Sequence, residues 1–288
     1  MIFSQMAAIE KIYQIVKEFC KEINELNETE RPIIRIPRGA TGSAAGLPFE
    51  VWFQSEISGK MKYKVFGKMD FVNYILNNYA MSLDKLLQAT WWGNIQQFRP
   101  EIIKRVKMGE QPKLQQALGD VIIKYGDDLN DIILVNVKAT EVSNGEPVGR
   151  PPNIISAYRL LQFFLELFEN KRHLVEKVNV WLIGFDYNPL GEEKVRIEQC
   201  HFKNLFWLDL KKAPLINFDA AIQIQWHLKD MIEIENQAIH EFAENLAYKY
   251  RNEWKTFINK RDKKLEECIT KLLLLIKRDV HTKRFSSD

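Results

Sequence analysis

Asp120, Asn136 and Lys138 are the residues whose types and spacing suit one particular piece of chemistry. Two β-rich runs, Asp120 to Tyr125 and Ile132 to Ala139, flank the turn-prone Gly126-Asp127-Asp128-Leu129-Asn130. If the turn centres on Asp128, antiparallel pairing sets Asp120 opposite Asn136, with Lys138 two residues further along the same face. Val121, Ile123, Val135 and Val137 then point to the opposite face and into a core. That leaves an acid, an amide and a lysine together on the accessible side. Such a cluster serves phosphodiester hydrolysis. Mg²⁺ is a hard cation that keeps several waters and takes one or two carboxylates plus phosphate oxygens. Water held by the ion becomes acidic enough to attack phosphorus, and a neighbouring lysine can orient or deprotonate that water while adding its own charge. Spacing alone is a weak signal, since an Asp on one strand and a Lys on the next occurs by chance in many sheets.

The surrounding pattern must supply the elements that position this hairpin. Residues 6 to 26 predict an amphipathic helix, because Ile9, Ile12, Tyr13, Val16, Phe19, Cys20 and Ile23 recur at spacings of three and four. Its apolar stripe could dock on the core or on a second copy of the chain. Pro32 and Pro37 bracket an extended stretch carrying Arg31, Arg35 and Arg38, which runs into the small-residue loop from Gly39 to Gly46. No Gly-Lys-Ser/Thr closes that loop, so it is not a Walker motif, yet its small side chains would let backbone approach a phosphate. A helix is expected from Pro48, with Glu50 in its first turn. Residues 60 to 118 read as mostly helical, with turns near Gly93 and Pro100, and Trp91 and Trp92 as core or lid residues. Thr140 to Pro152 reads as a loop, after which Asn153 is expected to cap a helix carrying Ile154, Ile155, Tyr158, Leu161, Phe164, Leu165 and Phe168. A strand from Val178 to Phe185, a turn around Asn188 to Gly191 and a return strand from Lys194 follow, with helices from about Asp219 onward.

Composition bounds the rest. The chain has 288 residues, 46% hydrophobic and 27% charged, which suits a packed globular protein and excludes a disordered one. Cys20, Cys200 and Cys268 are odd in number and far apart, with no CxxC, so reduced thiols are expected rather than a disulfide framework or structural zinc. The first apolar stretch is broken by Glu10, Lys11, Lys17 and Glu18, and the longest aliphatic run, Leu272 to Ile276, is too short to span a bilayer. A soluble cytoplasmic protein without membrane partners is the expectation. The formal net charge of +3 by itself argues mildly against a nucleic-acid binder. Its distribution is uneven and by itself decides nothing: 12 of the 41 lysines and arginines fall between Lys249 and Asp288, against only 6 acids, with Tyr250, Trp254 and Phe257 interleaved. Such a segment can line a phosphate backbone or form the solvated face of a long amphipathic helix.

Three blocks, in order, resemble the HincII-type restriction endonucleases of the PD-(D/E)XK nuclease superfamily. The first is Gly42-Ser43-Ala44-Ala45-Gly46-Leu47-Pro48-Phe49-Glu50. The second begins Gly119-Asp120-Val121-Ile122-Ile123, passes Val137-Lys138 and ends Pro152-Asn153-Ile154-Ile155-Ser156-Ala157-Tyr158-Arg159-Leu160. The third is Ile216-Asn217-Phe218-Asp219-Ala220-Ala221-Ile222-Gln223-Ile224-Gln225. The resemblance implies a homodimeric, Mg²⁺-dependent enzyme that cuts both strands of a short palindromic double-stranded DNA site to blunt ends, as part of a restriction-modification system. It implies a mixed α/β sheet core of the restriction-endonuclease type with helical additions at both ends. A single domain over residues 1–288 is expected, with an N-terminal helix to residue 30, a nuclease core from 31 to 235 and basic C-terminal helices from 236.

By position, Asp120 stands where the family has its first metal carboxylate and Lys138 where it has its lysine, with the Val137 carbonyl a further metal ligand. Ser43, Ala44, Asn153, Asn217, Ala220, Ala221 and Gln223 are expected to face the DNA, and an Asn side chain offers donor and acceptor together for base reading. Two departures matter. Asn136 stands where the family has its second metal carboxylate, keeping an oxygen ligand but losing the charge that holds Mg²⁺. The loop before Asn153 is longer, and Arg150 stands where the family places a minor-groove wedge. Asn136 reads as an inactivating replacement, or as a natural residue compensated by another acid, Glu50 or Glu141. The competing readings are a DNA-binding protein with a decayed nuclease site and a non-catalytic helical interaction module.

Overall fold

The computed structural model describes residues 2–38, 43–79, 82–93, 95, 98, 100–108, 119–149, 151–191, 193–214, 216–218 and 222–284. Arg150, Ala220 and Ala221 lie outside the described residues, and so do the side chains of Ser43 and Ala44. Everything is organised around one pairing. β3 (Val121–Lys124) runs antiparallel to β4 (Ile132–Ser143) with Val121 against Val135 and Lys124 against Ile132. This is the register centred on Asp128, so the next step places Asp120 opposite Asn136.

Side chains that alternate along these strands enter two different cores, as the pleat requires. Val121, Ile123, Val135 and Val137 pack with Ile12, Val16 and Phe19 of α1 (Ile2–Glu25) and with Phe49, Phe53 and Ile57 of α2 (Ser43–Lys60). Ile122 and Leu134 face the other way. They join a second core built from α3 (Lys68–Asn78), α4 (Leu83–Ala89), α5 (Pro100–Lys107), α6 (Ala157–Asn170) and α7 (Ile239–Arg284). Both faces of the sheet are therefore covered. Asp120 and Asn136, expected on an accessible side, are only 8% and 3% exposed.

The sheet is mixed. β7 (Val180–Pro189) lies parallel to β4, placing Gly184 beside Lys138 and Asp186 beside Thr140. β8 (Lys194–Asn204) returns antiparallel, β1 (Ile33–Arg35) closes one edge and β2 (Lys64–Gly67) the other, in the order β1-β8-β7-β4-β3-β2. Thr140 to Ser143 continue β4 instead of opening the expected loop. Asn144 and Gly145, both with positive φ, then turn the chain into β5 (Glu146–Pro147), as a two-residue hairpin requires.

A second, three-stranded sheet corrects two further expectations. Asn153 does not cap a helix: β6 (Asn153–Ser156) pairs with β10 (Gln223–Gln225), which pairs with β9 (Ile216–Asn217). The cap is Ser156, whose side chain accepts from the Arg159 N–H. Ile154 and Ile155 fit a helical stripe in sequence, but their backbone is paired across β10, which a helix would forbid. Likewise the region after Asp219 holds a strand and a 3₁₀ turn (Leu228–Asp230), and helix resumes only at Ile239. α2 starts at Ser43 and contains Pro48 rather than starting there, and Pro100 opens α5 rather than a turn. The apolar stripe of α1 is consumed internally, with Ile12, Val16, Phe19, Cys20 and Ile23 all buried against the sheet.

The β3–β4 turn is clamped by the Trp91 region. Asn130 Oδ1 accepts from the Trp91 N–H at 2.9 Å and Nδ2 donates to the Ala89 carbonyl at 3.1 Å. Both indole N–H groups return the contact, Trp91 to the Asn130 carbonyl and Trp92 to that of Leu129, each at 3.0 Å. The two tryptophans are core residues that hold the turn. Asn130→Ala leaves the buried Trp91 N–H without its acceptor and is expected to destabilise the fold by about 2 kcal/mol. Urea unfolding checks this, and an unchanged midpoint would show that the turn is fixed from elsewhere.

Candidate active site

Asp120 ends its side chain on the neighbouring strand. Its backbone N–H donates to the Val135 carbonyl at 2.8 Å, and its carboxylate Oδ2 accepts from the Val137 N–H at 2.9 Å. The carboxylate is thus tied to the backbone between Asn136 and Lys138. Its other oxygen, Oδ1, accepts from Lys68 Nζ at 3.3 Å, and the same ammonium donates to Glu50 Oε2 at 3.0 Å. Glu50 arrives from α2 and Lys68 from the first position of α3, which directly follows β2, the strand paired with β3.

Asp120, Asn136, Lys138 and Glu50 are therefore drawn toward one end of the β3–β4 ribbon. Lys138 is half-buried and close enough for its charge to bear on Glu50. Burial and the Asp120 carboxylate push Glu50 above the ordinary glutamate value of 4.5, and this outweighs the opposing pull of Lys68 and Lys138. Burial works against the Lys68 ammonium, but Asp120 and Glu50 more than offset it and hold its pKa above the ordinary lysine value. Glu141, the other acid considered as a substitute for a carboxylate at Asn136, is exposed and bears instead on Tyr187.

The small sheet gathers the amide side chains. Gln225 Nε2 donates to Asn153 Oδ1 at 2.8 Å, and Gln225 Oε1 accepts from Asn217 Nδ2 at 3.0 Å. Asn153 and Asn217 are thus brought together by a third amide. Gln223 sits on the same central strand but is only 4% exposed. The C-terminal aromatics act as a buttress: Phe218 packs on the rings of Tyr250, Trp254 and Phe257 at centroid distances of 5.5, 5.2 and 5.1 Å. Lys249 donates to the Ala213 carbonyl, and its ion-pair partner Glu253 accepts from the Ile216 N–H. Of the N-terminal arginines, Arg31 is paired with Glu198, while Arg35 and Arg38 are exposed.

Two residues of this constellation escape sequence reasoning, Lys68 and Gln225. Lys68 lies in a stretch without a motif, and its partners are 18 and 52 residues away. Gln225 has a faint signal, since it alternates with Gln223 on a strand.

A raised Glu50 has a stability consequence. The folded state favours the protonated carboxyl, so a stabilising contribution present below the ordinary value is lost as pH rises through the elevated one. Glu50→Gln, neutral at every pH, is expected to flatten that part of the stability profile and to gain on the wild type between pH 5 and 7.5. Chemical denaturation at the two pH values checks it, and parallel profiles would show that Glu50 titrates normally.

Comparison with known proteins places this geometry in context. Residues 32–280 match the family model for restriction endonuclease HincII. Two type II restriction enzymes of Haemophilus influenzae, HindII and HincII, are each 24% identical over 243 residues, covering 80% of this chain and 88% of theirs. Among solved structures, the NlaIV restriction endonuclease aligns over 87% of this chain and 89% of its own, with a TM-score of 0.38 and 12% identity. The family match extends over the sheet, the carboxylate cluster and the amide-bearing strands alike: this chain belongs to the HincII family of restriction endonucleases.

Proposed function

We propose that the chain is a Mg²⁺-dependent type II endonuclease that cuts both strands of a short palindrome, and that it works as a homodimer. The residues form a single nuclease unit whose core runs from about residue 31 to 235. The observation that carries this reading is the convergence of Glu50 Oε2 and Asp120 Oδ1 on one cation, the Lys68 ammonium, beside Lys138. Every donor at that point is an oxygen, the set a hard divalent ion prefers. Glu50, Asp120, the Asn136 amide oxygen and the Val137 carbonyl would hold Mg²⁺. When bound, the ion supplies an acidified water and neutralises charge that builds on the phosphate.

The protein's own groups do the remainder. The Val137 N–H fixes the Asp120 carboxylate, so that this ligand is oriented before anything binds. Lys138 faces the scissile phosphate, where its ammonium orients the attacking water and offsets charge that builds on the phosphate. A neutral Asn136 lowers the site's hold on a divalent ion, so the chain as it stands cuts slowly or not at all. Glu50, rather than Glu141, supplies the remaining carboxylate. Asn153 and Asn217 read base edges from the small sheet, with Ser43, Ala44, Arg150, Ala220 and Ala221 around the DNA. Gln225 sets the orientation of both asparagines by donating to one and accepting from the other.

Asn136→Asp is expected to give discrete plasmid fragments with blunt ends in Mg²⁺, and adding Lys138→Ala to that variant should abolish cutting. Intact plasmid with retained site-specific binding would instead mark a DNA-binding protein whose nuclease site has decayed. Gln225→Ala is expected to weaken binding to the preferred duplex, selected from a random pool, by about tenfold while leaving non-specific binding unchanged. An equal loss on all duplexes would assign Gln225 to folding alone.

A further inference from the structure

Lys68 is not part of the nuclease constellation read from the sequence, yet its ammonium occupies the centre of it. The side chain is 20% exposed and lies between carboxylates that are 15% and 9% exposed. Nζ stands 3.0 Å from Glu50 Oε2 and 3.3 Å from Asp120 Oδ1. A divalent ion held by both carboxylates would approach them on the side where they meet. That side is the one the ammonium already fills. Two cations cannot occupy the same place, and an ammonium left there would repel the arriving ion at close range.

We propose that Lys68 is a built-in competitor for the divalent ion, so that metal binding is an exchange in which the ammonium leaves Glu50 and Asp120 as the ion arrives. The inference rests on the nuclease reading of this site. Lys68 is then a positioning residue. Without the ion it holds two carboxylates together that would otherwise repel, and it sets a threshold of metal concentration below which the site stays closed to chemistry. The exchange makes no bond and needs no co-reactant. The lysine stem swings out while its ammonium keeps its proton.

The test measures metal uptake rather than cleavage. Free Mn²⁺ is followed by electron paramagnetic resonance as it is titrated into the full chain at pH 8, without DNA. Lys68→Met is expected to bind Mn²⁺ about tenfold more tightly than the wild type. Lys138→Met removes the same charge from the same site without vacating the position between the two oxygens, and is expected to change affinity by less than about threefold. Circular dichroism confirms folding, and Lys68→Gln serves in place of Lys68→Met if that variant does not fold. Unchanged or weaker uptake by the Lys68 variants overturns the exchange, and so does an equal gain from both lysines, which would reduce the effect to general charge. If no form of the chain takes up Mn²⁺, Asn136→Asp included, the metal site itself fails, and the nuclease reading with it.

Discussion

The antiparallel pairing of β3 with β4 constrains everything else in this molecule. Because side chains alternate, a slip by one residue would drive Val121, Ile123, Val135 and Val137 out of one core and Asp120 and Asn136 into it. Both faces are packed, so no register but the observed one buries the apolar residues on both sides. The Asn130–Trp91 clamp fixes the turn, and the Val137 N–H fixes the Asp120 carboxylate. The geometry of the carboxylate cluster is thus a by-product of core packing, set at the strand end where the covered sheet gives way to polar groups.

Electrostatics then sets the character of that end. Two carboxylates are held close in a half-buried place where neither is well solvated, which raises Glu50. Their repulsion is tolerated because an ammonium sits between them and a second lysine stands nearby. The arrangement is stable only as a set, since removing one member leaves a buried charge without its counterpart. The small sheet follows a different logic. Its three amides are neutral, orient one another through two hydrogen bonds and are held from behind by rings on α7.

Legibility in the sequence followed the range of the interactions. The β3–β4 register could be read from residues 120 to 138 because a short turn separates two alternating runs. Asp120, Asn136 and Lys138 came with it. The family resemblance added Glu50, Asn153 and Asn217. Asn153 reads as a helix cap in the sequence because its backbone partners, Gln225 and its neighbours, lie far along the chain and periodicity carries no trace of them. Lys68 stayed hidden for the same reason: a lysine opening a helix looks like any solvated residue until the fold brings Glu50 and Asp120 to it. The aromatics at 250, 254 and 257 fitted a nucleic-acid surface equally well on paper, and only Phe218 shows what they cover.

The lysine pair also bears on how a duplex meets the protein. Once Glu50 is ionised, the two negative charges of Glu50 and Asp120 are matched by the two positive ones of Lys68 and Lys138, so a backbone phosphate arriving at the site meets no net repulsion. On the proposed function, a polyanion could then settle along the protein before any divalent ion is present, and scanning for a site would not wait for the ion. On the proposed exchange, search and scission would be separable stages, the first governed by the surface and the second admitted only when an ion enters the gap between two carboxylates.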